Sequence, residues 1–158
     1  MNNRDILSTL IDESDTEFLD QNIKGMMMTL LAHWNVRMDE ARAETEFAQV
    51  RPADMRVFAQ LRGRTVKLST IHREMGFSRQ AAQQAVDRLV AHDMIEVSPD
   101  SKSKRDKVVR ITNKGQRWRT IAAAQIRSIE MQIAETLGEE EREALRRALS
   151  GLIQGATS

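Results

Sequence analysis

Residues 68–115 read LSTIHREMGFSRQAAQQAVDRLVAHDMIEVSPDSKSKRDKVVRITNKG, and their apolar period changes twice. Leu68, Ile71 and Met75 recur at helical spacing. Gly76 is positioned as a left-handed helix cap, and Phe77 can fill the angle between two helices. Ser78 then suits the N-cap of a helix running to about His92. Its inward face is Ala82, Ala85, Val86, Leu89 and Val90, and its outward face is Arg79, Gln80, Gln83, Gln84, Asp87 and Arg88. From Met94 to Ser98, and again from Lys107 to Ile111, apolar residues alternate and β-branched residues dominate, which predicts two strands. Pro99 to Asp106 is expected as a long, polar, basic loop between them. Thr112 and Asn113 then cap another helical stripe.

Two helices joined by a glycine-containing turn and followed by a basic hairpin form a winged helix-turn-helix pattern. The second helix carries side chains suited to base edges. Arg can bond bidentately to guanine and Gln to adenine. Most soluble helix faces mix Glu with Lys, whereas this one holds Gln and Arg with one Asp. Ser78, Arg79, Gln80, Gln83, Gln84 and Arg88 are therefore the candidate contacts to duplex DNA. Lys102, Lys104 and Arg105 are the candidate contacts of the wing, where a basic loop can follow phosphates or enter a minor groove.

Working outward, Pro52 opens a helix over Ala53 to Leu61, with Met55, Phe58 and Leu61 inward and Gly63 beyond its end. Upstream, Ile6, Leu7, Leu10 and Ile11 suggest a short helix from Asn3 to Ile11, and Ser14 or Asp15 can cap the next one. From Thr16 to about Ala48 the stripe Leu19, Ile23, Met26/Met27, Leu30, Trp34, Met38 and Ala41 predicts one long helix. Gly25 inside it suggests close packing. Downstream, Trp118, Ile121, Ile126, Ile129, Ile133 and Leu137 predict a second long helix that stops at Gly138. A last helix presents Leu145, Leu149, Leu152 and Ile153. The expected architecture is mainly α with a small β-hairpin wing. Residues 1–50 and 113–158 form a helical dimerisation region around a winged lobe at 51–112, in one structural domain overall.

The 158 residues, 41% hydrophobic and 30% charged, suit a globular chain. Its net charge of +1 conceals a strong asymmetry. Residues 1–55 hold five basic and eleven acidic side chains, whereas residues 56–110 hold twelve and six. A basic centre beside an acidic arm suits a polyanion partner. The chain has no cysteine, which excludes disulfides, thiol redox chemistry and cysteine-bound zinc. His33, His72 and His92 lack ligand spacing, so no metal and no cofactor is expected. No phosphate loop, nucleophile elbow or HExxH pattern occurs, and enzyme activity is not expected. Neither a signal peptide nor a membrane span is evident, and a cytoplasmic protein is expected.

The quoted stretch resembles the MarR family of bacterial transcriptional regulators. The matching pieces are MGFSRQAAQQAVDRLVAHDMIE and KSKRDKVVRITNKG, of which the segment ending ITNKG is the most specific, and the flanking long helices fit as well. The resemblance implies a homodimer whose terminal helices pair and whose two lobes grip a palindromic operator. It also implies a small aromatic or anionic effector bound between the dimerisation helices and the lobe. Met27, His33, Trp34 and Met38 are the candidate lining, although core and dimer interface account for the same methionines. Two departures stand out. The family usually places Asp, which braces the wing arginine, where this chain has Ser103, so Asp106 or Asp100 would have to hold Arg105. His72 replaces a residue that is usually small. The expected function is a ligand-responsive homodimeric repressor. A winged-helix protein-interaction module, or a DNA-architectural module without effector response, is the alternative.

Overall fold

A computed structural model of the chain describes residues 13–74 and 78–156. The expected helix at Asn3 to Ile11, and the Met75, Gly76 and Phe77 turn, lie outside the described residues. The chain divides into two compact units, residues 1–40 and 41–158.

In the first unit, helix α1 spans Glu13–Gln21 and α2 starts at Ile23, running to Ala43 in the second unit. Ser14 and Asp15 lie inside α1 and not ahead of it. The single long helix expected from Thr16 to Ala48 is broken at Asn22. The Asn22 Oδ1 accepts from the Gly25 N–H at 2.9 Å, which caps α2. Its Nδ2 donates to the carbonyls of Phe18 and Leu19 at 3.1 and 2.7 Å, which closes the last turn of α1. One side chain thus ends one helix and begins the next. Gly25 has this capping amide as its nearest neighbour, rather than another helix. Phe18, Leu19, Ile23, Met26, Met27, Met28, Leu30, Leu31 and Val36 are all exposed in the single chain.

The second unit begins at Ala41, within the last turn of α2. Arg42 is buried, and its Nη1 donates to the carbonyls of Phe47 and Ala48 at 3.2 and 2.6 Å. That fold-back replaces the expected helical continuation to Ala48 with a tight turn. Helix α3, Pro52–Gln60, follows, and it ends at Arg62 and Gly63, both with positive φ. Next come β1 (Val66–Lys67), α4 (Leu68–Glu74), α5 (Arg79–Ala91), β2 (Ile95–Asp100), β3 (Ser103–Ile111), α6 (Asn113–Leu137) and α7 (Glu139–Ala156). The sheet is antiparallel with order β1-β3-β2. A two-residue strand such as β1 carries no readable period, so only the hairpin was expected.

The hairpin is longer and its tip tighter than the sequence suggested. Strand pairing continues through Pro99↔Lys107, then slips so that Asp100 faces Ser103. Lys104, Arg105 and Asp106 therefore bulge from β3 between those two pairs. Pro99 is tolerated because β2 is an edge strand.

The core of this unit joins α3, α4, α5 and the sheet. Phe47, Val57, Phe58, Leu61, Ile71, Ala82, Val86, Leu89, Met94, Ile95 and Val109 are almost completely buried. Val90, expected inward, is 41% exposed, because the buried arc of α5 is narrower than the apolar pattern implied. The start of α6 is fixed against the hairpin. Thr112 Oγ1 accepts from the Gly115 N–H at 3.1 Å and donates to the Asp93 carbonyl at 2.5 Å. A Cβ on Gly115 would collide with the Met94 carbonyl oxygen, Ile111 and Phe58. Trp118 packs against Phe47 with ring centroids 5.5 Å apart. Gly138, at φ 93°, ends α6. Arg142 of α7 reaches Glu130 of α6 at 2.6 Å and also pairs with Glu139. Leu145, Leu152 and Ile153 form the expected apolar face of α7, but they are exposed in the single chain.

Candidate nucleic-acid interface

Helix α5 is positioned by polar contacts at both ends. Ser78 Oγ accepts from the Ala81 N–H at 3.2 Å, so this residue is a helix cap first. Near the other end, Arg88 Nε and Nη2 each donate to the Asp54 carboxylate at 2.8 Å. Asp54, in the first turn of α3, is 1% exposed. The bonds to this carboxylate raise the already high pKa of Arg88. Arg88 was expected on the outward face, ready for a base. The structure instead commits its guanidinium to a bidentate ion pair that ties α5 to α3.

Gln83 is also partly committed. Its Oε1 lies 3.0 Å from His72 Nε2 on α4, and its Nε2 donates to Asp87 Oδ1 at 2.8 Å. Asp87 accepts only, so the amide nitrogen must point to it. The amide oxygen then faces His72, whose Nε2 is the donor.

The side chains of Arg79, Gln80 and Gln84, and that of Arg105 in the bulge, have no hydrogen-bond or ion-pair partner among the described residues. Together with Gln83, these five side chains line one open concave surface of about 920 Å³. Leu68, Ser69, His72, Asp106 and Lys107 complete its walls. The outward face of α5 and the wing arginine are therefore brought to one surface. Lys102 is exposed at the turn outside this lining, and the Lys104 side chain lies outside the described ones. Neither expected brace holds Arg105. Asp106 pairs with Lys67 of β1 at 3.2 Å, and Asp100 accepts from the Lys102 N–H at 3.0 Å. The Lys67–Asp106 pair pins the bulge beside Arg105 to the far edge strand.

The sequence reading missed His72, Asp87 and Asp54 as parts of this site. Asp87 was visible as one acid on a Gln/Arg face. The other two are distant in sequence from the side chains they hold, and no periodicity reveals such pairs.

The candidate effector residues are on α2. Met27, Trp34 and Met38 share one face by spacing, with Met27 exposed and the other two half-buried. His33 projects roughly 120° away from that face, given about 100° per residue. Three of the four thus lie on one helix face. Among the described residues, no three acidic or histidine side chains cluster as a metal site. No described helix is long and apolar enough to cross a membrane.

The backbone can be compared with solved structures. A crystal structure of MarR superposes with a TM-score of 0.72 at 16% identity, covering 87% of this chain and 98% of that one. This chain has the MarR-family fold. FabT of Streptococcus pneumoniae, solved in complex with DNA, gives a TM-score of 0.71 at 16% identity, covering 87% of this chain and 96% of that one. A MarR family protein from Bacillus stearothermophilus gives 0.69 at 16% identity, covering 100% of this chain and 99% of that one. No family model and no curated protein matches the sequence. At such low identity the likeness lies in the MarR-type arrangement of helices and wing, and not in the side chains of the concave surface.

Proposed function

We propose that this chain is a sequence-specific, double-stranded DNA-binding transcriptional regulator that works as a homodimer. The observation that carries this reading is the concave surface, where Arg79, Gln80, Gln84 and Arg105 meet without partners among the described residues. Polar side chains held out from a rigid scaffold, uncommitted within it, suit a ligand with many donors and acceptors. A major groove offers that ligand. The basic balance of residues 56–110 suits phosphate contact on either side. FabT, which shares the fold, was crystallised with DNA.

The base readers are Arg79, Gln80, Gln83 and Gln84, the wing contacts are Lys102, Lys104 and Arg105, and Ser78 sits at the helix start. Arg88 acts by holding the helix. The exposed apolar faces of α1, α2 and α7 support pairing of two copies, with half-sites about 10 bp apart. Repression modulated by a small aromatic or anionic effector is the finer reading, and the Met27, Trp34 and Met38 face supports it. A cytoplasmic, non-enzymatic protein follows from the same role.

Selection of bound sequences from a random duplex library tests the reading. The expected result is an inverted repeat. Recovery of no preferred sequence, with no salt-dependent binding to random duplex, would sink it in favour of a protein-interaction module.

A further inference from the structure

We propose that His72 is a specificity-determining residue that acts through Gln83, by anchoring the amide oxygen that Asp87 turns toward it. The inference rests on the DNA-binding reading above and deepens it. A glutamine on a recognition helix is ambiguous by itself. Its amide can rotate by half a turn and exchange donor for acceptor, so the same side chain can satisfy opposite base edges. Here that rotation is opposed by Asp87, and His72 anchors the oxygen that Asp87 turns toward it. Asp87 Oδ1 takes an N–H at 2.8 Å, one helical turn along α5, and His72 Nε2 meets the amide oxygen at 3.0 Å from α4. Rotation would set the amide oxygen against the Asp87 carboxylate, which repels it, and would cost the bond to the His72 N–H unless the imidazole also moved its proton to Nδ1. His72 is half-buried and fixed to α4, so its reference point does not belong to the reading helix. One amide N–H and one oxygen lone pair remain for the groove, in a set order. His72 is therefore a positioning residue, and the concave surface it lines is where its effect is read.

The test uses the full-length protein and the preferred duplex recovered from the random library. Base preference is measured position by position for the wild type, Gln83→Ala, His72→Leu and His72→Gln. Gln83→Ala identifies the base position that Gln83 reads. His72→Leu should lower preference at that same position by about 2- to 10-fold, the worth of one neutral hydrogen bond, and should leave preference at other positions unchanged. His72→Gln, which retains an N–H donor, should restore most of it. In Gln83→Ala, adding His72→Leu should cause no further loss. A uniform fall across all sequences would show a merely structural role and overturn the proposal. So would an unchanged preference in His72→Leu. Side-chain amide NMR of the DNA-free protein supplies a second readout. The Gln83 amide protons should be resolved and slow to exchange in the wild type and should shift in His72→Leu, and no change would also overturn it. Failure of the underlying reading looks different. The wild type would then select no sequence although the amide signals report the pinning, and the specificity role would fall with it.

Discussion

At the residue scale, the same residue type serves opposite ends in this lobe. Arg79 and Arg105 face the concave surface without partners among the described residues, whereas Arg88 is committed to a buried carboxylate. Replacing each should therefore fail differently. Arg88→Ala would strand Asp54, 1% exposed, as an unpaired buried charge. That should cost about 3 kcal/mol of folding stability, the low end for a pair with one part-exposed member. Urea denaturation checks it, and a midpoint equal to that of the wild type would contradict the pairing. Arg105→Ala should leave stability intact. It should lower the slope of log affinity against log salt by about 0.9 if the side chain neutralises one phosphate, as a titration at several ionic strengths would show. Gly115 is equally specific. Gly115→Ala would push a methyl group into the Met94 carbonyl and should destabilise by about 1–3 kcal/mol.

At the scale of elements, pH should act mainly at the outer end of the chain. Hydrogen bonds to Arg142 and Arg146, ahead of the Coulombic attraction of these residues, hold Glu139 and Glu143 below the usual carboxylate range. A depressed folded pKa means that this contribution to α7 is complete above the unfolded value of about 4.3 and is lost as pH falls through the folded one. Helix content measured by circular dichroism should thus hold to about pH 4.3 and decline below it. Loss of α7 signal between pH 5 and 7 would contradict the assignment. The same element shows what the sequence could yield. Gly138, the acidic start and the stripe Leu145 to Ile153 mark α7 completely, because helix signals are local. Ser78 and the α5 face were legible for the same reason. The break at Asn22 was not, since it depends on one amide bonding in both directions, and the apolar stripe continues across it. The Arg88 clamp and the His72–Gln83 contact were invisible because each joins two helices. The tight wing tip was missed because polar residues in an edge-strand bulge look like a loop.

At the scale of the whole molecule, the exposed apolar residues of α7 set the clearest expectation. Leu152 and Ile153 are 64% and 66% exposed in the single chain. Leu152→Glu with Ile153→Glu should convert the proposed dimer into a monomer by light scattering. The affinity for a full inverted repeat should then fall toward that for one half-site, and a variant that remained dimeric would place the interface elsewhere. The slipped register of the wing bears on how this fold can diversify. Every strand pair from Ile95↔Ile111 to Pro99↔Lys107 lies on the core side of the bulge. Residues gained or lost between Pro99 and Lys107 would change how far the hairpin reaches without inverting the inward and outward faces beneath it. The tip is thus an interchangeable module, able to drift in length and charge while α5 keeps its own surface.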